Sequence, residues 1–142
     1  MSYKVLVFGK ECVGKNTFCN LNKYDIYLRC TDQLPEDLSN IDGIILMYDI
    51  TDLSSFEYLL ENIESSLHIP TIVIGTKFDL EVQRKVTTYY GKTFIRNGIS
   101  TYFDEICTKH EGFLKTYDNL ISEIDASKNK PINKKRIKCI IM

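Results

Sequence analysis

The apolar positions of this chain follow two patterns, short unbroken runs and longer stripes with helical spacing. Three runs rich in Val and Ile, residues 5–8, 44–48 and 71–74, do not alternate with polar residues. Strands that are buried on both faces of a parallel sheet have this pattern. Two weaker strands fit residues 26–30 and 101–106. The pattern therefore predicts five strands.

Helical stripes separate and follow these strands. Apolar residues recur three and four positions apart over 56–67 and 113–124, which predicts two amphipathic helices. Val86, Tyr90 and Phe94 predict a third helix that ends near Asn97. Strands that alternate with helices predict an α/β fold, an open and mostly parallel five-stranded sheet with helices on both faces.

The apolar pattern stops after Asp125, so we divide the chain into a folded domain, 1–126, and a solvated tail, 127–142. The chain has 18 basic and 19 acidic residues, but all the charged residues of 128–142 are basic. A DNA-binding protein would carry its basic patch on the folded domain, so we do not expect nucleic acid as a partner. An acidic body with a basic tail suits a tail that approaches an anionic membrane.

The composition excludes other classes. No run is long enough for a transmembrane helix, and the start of the chain has no signal-peptide pattern. The five cysteines are scattered without CxxC spacing, so we expect neither a disulfide framework nor a zinc site.

The first predicted strand leads into Gly9-Lys10-Glu11-Cys12-Val13-Gly14-Lys15, which fits the phosphate-binding pattern G-x-x-x-x-G-K. The glycines allow a tight turn whose amide groups surround an anion, and Lys15 would reach the phosphates. The alternative is an ordinary glycine-rich turn between a strand and a helix.

The residue after the lysine departs from this pattern. A Ser or Thr hydroxyl normally binds Mg²⁺ there, but the residue here is Asn16. Mg²⁺ requires short bonds in near-octahedral geometry, so Asn16 argues against a bound Mg²⁺. Thr17 does not replace the hydroxyl, because one residue along a helix turns the side chain by about 100°. Asp49 resembles a Walker-B carboxylate, although we favour a cap at the end of a strand.

Further segments resemble the Ras superfamily of small GTPases. Residues 75–80 resemble the family's base-reading N/T-K-x-D motif, and residues 105–109 are similar to its E-T-S-A-K segment. Residues 48–57 resemble Rab-type members, and Cys139-Ile140-Ile141-Met142 reads as a C-a-a-X prenylation box. These motifs occur in the family's order over nearly the whole chain.

The resemblance implies that the chain binds guanine nucleotide, GDP or GTP. Asp79 would accept hydrogen bonds from the guanine N1–H and exocyclic amine, Lys77 would pack over the base, and the Thr108 N–H would meet the guanine O6. The residues expected to bind nucleotide are Gly9, Cys12, Val13, Gly14, Lys15, Asn16, Thr17, Thr76, Lys77, Asp79, Cys107, Thr108 and Lys109.

The terminal box predicts farnesylation of Cys139. A single lipid chain binds membranes reversibly, and the basic residues before Cys139 supply the second signal that stable anchoring requires. We therefore expect a monomer that is lipid-anchored to the cytoplasmic face of the plasma membrane or an endomembrane.

The chain also departs from the family. Switch I and the second strand are missing after Lys15, and Cys30-Thr31-Asp32-Gln33 stands where D-x-x-G is expected. Glu11 would repel a phosphate, and we interpret Gln33 as an exposed loop residue. We therefore assign no catalytic residue and no metal ligand, and expect a poor or inactive GTPase. Two alternatives remain, a pseudo-GTPase interaction module with little or no nucleotide binding and a truncated gene model.

Overall fold

The computed structural model describes residues 3–22, 24, 26–63, 68–107, 109 and 113–128. Its strands lie in the order β2-β1-β3-β4-β5, and every neighbouring pair is parallel. The predicted open sheet of five strands is therefore confirmed. The strands are β1 (Tyr3–Phe8), β2 (Ile26–Thr31), β3 (Gly43–Asp49), β4 (Thr71–Thr76) and β5 (Tyr102–Glu105).

The described helices follow the predicted stripes with two differences. The helix predicted over 56–67 begins at Leu53 and ends at Asn62, Ile63 is extended, and Leu67 lies outside the described residues. The third predicted helix is two short helices, which meet at Lys92. The Thr87 side chain accepts a hydrogen bond from the Tyr90 N–H and begins the first of them, so Val86 lies outside it. The helices are α1 (Lys15–Asn20), α2 (Leu53–Asn62), α3 (Thr88–Gly91), α4 (Thr93–Arg96) and α5 (Leu114–Lys128), with a 3-10 helix at Phe78–Gln83.

The sheet separates two apolar layers, as a sheet with helices on both faces requires. On one face the Phe18 ring of α1 stacks on Tyr117 of α5, with centroids 4.7 Å apart. On the other face Phe56 of α2 packs edge-on against Tyr48 of β3. Each side chain of this size contributes about 1.5–3 kcal/mol when fully buried. Among the described helices, none combines the length and the apolar character needed to cross a lipid bilayer.

The carboxyl ends of the central strands converge at one edge of the sheet, where open α/β sheets bind ligands. Gly9 follows β1 there and passes so close to β3 that an added Cβ would lie 2.4 Å from the Met47 carbonyl oxygen. The loop after β1 therefore lies directly against the end of β3.

Candidate nucleotide site

The loop between β1 and α1 is the segment that the sequence predicts to bind phosphate. Cys12 and Gly14 both adopt left-handed conformations, with φ of 66° and 102°. Such residues turn neighbouring amide groups toward a common concavity. A side chain at the Gly14 position would be strained, which explains why the motif has a glycine there.

Lys15 begins α1 and folds back over this loop. Its ammonium group donates to the carbonyl oxygens of Gly9 at 2.5 Å and Lys10 at 2.7 Å. Partial burial lowers the pKa of Lys15, and the nearby charge of Asp32 opposes that shift. A phosphate group would offer the ammonium a stronger partner than either carbonyl.

An open cavity of about 820 Å³ lies over this loop. Exposed Asn16 and Thr17 line it, as does the Glu11 carboxylate, whereas Gln33 does not. The full lining is Glu11, Cys12, Gly14, Lys15, Asn16, Thr17, Cys30, Thr31, Asp32 and Lys77.

Asp32 is a site residue that sequence reasoning missed. It directly follows β2, and β2 pairs with β1, so its carboxylate lies beside the loop that follows β1. The sequence feature that would have identified Asp32 is an acidic residue at the carboxyl end of a strand next to β1. Asn16, Thr31 and Asp32 place amide, hydroxyl and carboxylate oxygens along one wall of this cavity, which are oxygen types that hard cations prefer.

A second cavity, of about 200 Å³, adjoins the first. It brings together the two segments predicted to bind the base, residues 75–80 and 105–109, and the phosphate loop. Its lining is Val13, Gly14, Thr17, Thr76, Lys77, Asp79, Leu80, Ile106, Cys107 and Lys109. Gly9 is buried beneath the loop, and Thr108 lies outside the described residues.

Thr76 holds the phosphate loop against the sheet. Its hydroxyl lies 2.7 Å from the Val13 carbonyl oxygen and 3.0 Å from that of Tyr48, and it shares its hydrogen between them. The contact joins the end of β4 to β3 and to the loop.

Lys77 follows Thr76 in a left-handed conformation and links the two cavities. Its ammonium group lies 2.8 Å from the Asp49 carboxylate and donates to the Cys12 carbonyl oxygen at 3.1 Å. Asp49 also accepts from the N–H and hydroxyl of Thr51. Asp49 therefore ties together residues at the end of β3, and it is not among the residues that line either cavity.

Asp79 is held ionised at the mouth of the smaller cavity. Its carboxylate lies 3.1 Å from the Lys109 ammonium group. Hydrogen bonds from the side chains of Lys109 and Cys107 hold the pKa of Asp79 below its usual value, and Asp79 in turn raises the pKa of Lys109. An ionised carboxylate in this position accepts hydrogen bonds from paired N–H donors such as those of guanine.

Comparison with known proteins identifies the family of this chain. The sequence profile of the Ras family matches residues 29–126, which is more than half of the chain. The chain belongs to the Ras family. The match begins after the phosphate loop, so the assignment of residues 9–17 depends on the motif and its geometry.

Two curated relatives are similar over part of their length. GTP-binding protein rhb1 of Schizosaccharomyces pombe is 30% identical over 95 residues, which cover 63% of this chain and 51% of that protein. Ras-related protein RabC of Dictyostelium discoideum is 34% identical over 91 residues, which cover 60% of this chain and 46% of that protein. The chain thus spans about half the length of these relatives.

A solved structure is similar over most of the chain. The crystal structure of GTP-bound wild-type EhRabX3 from Entamoeba histolytica matches with a TM-score of 0.68 and 27% identity. The match covers 84% of this chain and 44% of that one.

Proposed function

We propose that this chain is a small GTPase homologue that binds GDP or GTP and hydrolyses GTP slowly or not at all. The observation that carries the proposal is the junction of the two cavities, which share Gly14, Thr17 and Lys77 as walls. A base in the smaller cavity and phosphates in the larger one would be connected across these residues. The names of its relatives, a GTP-binding protein and a GTP-bound Rab, support the same ligand class.

The residues divide into two groups by what they would hold. Lys15 and the amides of the loop would hold phosphates, and Asp79 would read the guanine edge. If Mg²⁺ accompanies the phosphates, oxygens of Asn16, Thr31 and Asp32 would help to hold it. Its charge would offset part of the negative charge of the phosphates.

Slow hydrolysis follows from what surrounds the phosphate cavity. Phosphoryl transfer requires a residue that positions water and a closure that excludes solvent. Gln33 is exposed and outside the cavity wall, and Glu11 adds negative charge where charge accumulates. Among the described residues, the lining of this open cavity comes from the loop after β1, the start of α1, the end of β2 and Lys77.

Nucleotide titration tests the binding proposal. We expect fluorescent GDP to bind at least tenfold more tightly than the matching ADP, and Asp79→Ala to remove this preference. Asp37→Ala is the matched control, because this carboxylate is exposed and lines neither cavity. Equal affinities for GDP and ADP in the parent would contradict guanine recognition.

The same titration decides for or against a nucleotide-free interaction module. One observation favours that second function: Lys15 and Asp79 already have partners within the chain. Absence of binding by both nucleotides would support the module. For hydrolysis, a single-turnover rate that depends on Mg²⁺ and reaches about 10⁻⁴ s⁻¹ without an activator would contradict an inactive site.

We further propose that Cys139 is prenylated and, with the basic tail, attaches the protein to the cytoplasmic face of a membrane. Cys139 and the tail from residue 129 lie outside the described residues. Lys128 ends α5 and pairs with Asp42, which precedes β3, at 2.7 Å. Helix α5 therefore ends near the amino ends of the strands, whereas the cavities lie at the carboxyl ends. A membrane-bound tail that continues from α5 would leave the cavities facing away from the membrane.

Fractionation of cells tests this attachment. We expect Cys139→Ser to leave the protein soluble. Replacement of Lys134, Lys135, Arg136 and Lys138 by Gln should weaken membrane binding without removing the lipid, which mass spectrometry would detect. A Cys139→Ser variant that stays on membranes like the parent would refute the proposal.

A further inference from the structure

Strand β2 forms an edge of the sheet. It pairs with β1 on one side, and no strand in the described part of the chain lies beyond it on the other. Natural edge strands usually carry proline, several charges or a bulge that prevents pairing with another molecule. The six residues of β2, Ile26–Thr31, contain no proline and a single charged residue, Arg29.

The register identifies which main-chain groups of β2 face outward. The Thr31 carbonyl accepts from the Gly9 N–H at 3.2 Å, so Thr31 faces β1. Because the direction alternates along a strand, Tyr27 and Arg29 also face β1, and the N–H and C=O groups of Leu28 and Cys30 point outward. Among the described residues, no main-chain hydrogen bond reaches these outward groups of Leu28 and Cys30.

The side chains of β2 divide between the two faces of the sheet. Leu28 and Cys30 pack against the apolar layer beneath α1 and α5. Tyr27 and Arg29 lie on the opposite face, where Tyr27 is 67% exposed. They line a groove of about 350 Å³ with Lys4, Val5, Asn40 and Ile41.

We propose that two copies of this chain associate through β2, which pairs antiparallel with itself and joins the two sheets. Outward-facing residues must lie opposite one another, which permits few registers. Pairing centred on Leu28 sets Tyr27 of each copy opposite Arg29 of the other. A register centred on Arg29 would place two guanidinium groups side by side, and like charges in that position are destabilising.

The register centred on Leu28 makes the edge self-complementary. A twofold axis repeats each contact, so the Tyr27–Arg29 pair forms twice, as a cation–π contact on each side of the axis. The Ile26 carbonyl already accepts from the Asn22 side chain at 3.1 Å. The outward groups of Leu28, the Ile26 N–H and the Cys30 carbonyl therefore supply a ladder of about four main-chain hydrogen bonds. The proposal differs from the monomer expected from the sequence, and it places the partner strand next to Cys30, which lines the phosphate cavity.

Sedimentation velocity of the full chain tests the proposal with two variants at one position. We expect the parent to shift from monomer to dimer as its concentration rises from about 1 µM to about 200 µM, the range of a weak contact. Tyr27→Lys places an ammonium opposite Arg29 and should weaken the dimer at least tenfold. Tyr27→Glu is the matched control, because a carboxylate opposite Arg29 should retain the dimer. Tyr27 is mostly exposed, and circular dichroism would verify that both variants fold.

Hydrogen exchange measured by NMR gives a second, independent readout. The amides of Leu28 and Cys30 should exchange more slowly as concentration rises. The amides of Tyr27 and Arg29 bond to β1 and should not change. A parent that stays monomeric, a dimer that persists in Tyr27→Lys, equal loss in both variants, or growth beyond a dimer would each overturn the proposal.

Discussion

The base side and the phosphate side of the site are built differently. The cavity at the base side measures about 200 Å³, whereas the one at the phosphate side measures about 820 Å³ and is open. The base side lies between the ends of β4 and β5. The phosphate side is bounded by the loop after β1, the first residues of α1, Lys77 and the end of β2, the edge strand.

The difference shows how much of a site can be held by the sheet alone. At the base side, hydrogen bonds join the strand ends, from the Ile106 N–H to Gly75 and from the Phe78 N–H to Ile106. Below them Arg84 forms a bidentate pair with Glu105, at 2.6 and 2.8 Å. At the phosphate side, side chains rather than strand ends supply most of the cross-links, from the Thr76 hydroxyl to Val13 and from the Lys77 ammonium to Cys12. The cavity there is open, and a bound phosphate would need a cover from another segment to exclude water.

Breaking the Arg84–Glu105 pair should have the largest effect. The side chains of Arg84 and Glu105 are only 17% and 9% exposed, so Arg84→Ala leaves a buried carboxylate without its partner. We expect a loss of about 3 kcal/mol in the free energy of unfolding, measured by urea denaturation.

The matched control removes both charges. Arg84→Met combined with Glu105→Leu should recover much of the lost stability, because no isolated charge remains. If the double variant is less stable than Arg84→Ala, the pair does not act through burial of an unpaired charge.

Removing the Lys15 ammonium should separate affinity from stability. In Lys15→Met, GDP affinity should fall by about 10- to 100-fold, since charge-assisted hydrogen bonds contribute about 1.5–3 kcal/mol. The free energy of unfolding should change by less than about 0.5 kcal/mol. Lys10→Met is the control in the same loop, because Lys10 donates to Ser54 and does not line the cavity. An equal loss of affinity in both variants would show a general charge effect.

Thr76→Val tests the contact that joins the two sides. The change removes the hydroxyl between the Val13 and Tyr48 carbonyls, and we expect a loss of about 1–2 kcal/mol in unfolding free energy. Thr71→Val at the other end of β4 removes a single bond to Ile69 and serves as the comparison. GDP affinity should fall in Thr76→Val alone, because only this change loosens the phosphate loop. Similar affinities in the two variants would contradict the contact's role.

The smallest expected effect concerns the protonation of Asp79. The pKa of Asp79 is lower in the folded chain than in the unfolded chain. The stability that the ionised carboxylate contributes is therefore fully present above the unfolded pKa and is lost as the pH falls through the folded pKa. Lys109→Gln removes the main cause, and the Asp79 pKa should rise toward its ordinary value. Carbon-detected NMR titration measures this change, with Asp37 as the carboxyl that should not move, because a Ser39 hydrogen bond lowers its pKa instead. An unchanged Asp79 pKa would contradict the ion pair.

The strands and the phosphate loop were predictable because they depend on local patterns. Unbroken Val and Ile runs indicate strands buried on both faces, and the glycine spacing of residues 9–15 requires particular backbone conformations. The family resemblance likewise supplied the expectation that residues around Asp79 form the base site.

Features that depend on packing between distant segments were not predictable. The break between α3 and α4 lies next to Gly91, where an added Cβ would be 2.2 Å from the Tyr48 hydroxyl, a neighbour far away in sequence. Asp32 reaches the phosphate cavity only because β2 pairs with β1. Hydrophobic spacing carries no information about either contact.

Because the two cavities share a wall, the two halves of one nucleotide would bind at adjoining sites. Guanosine alone and pyrophosphate alone would each engage one cavity, and each should bind weakly. Once one half of a joined molecule is bound, the other half is held near its own cavity at an effective concentration of roughly millimolar or more. Affinity for the intact nucleotide should therefore far exceed that for either fragment, and any change that separates the two cavities would reduce it although every contact residue remained.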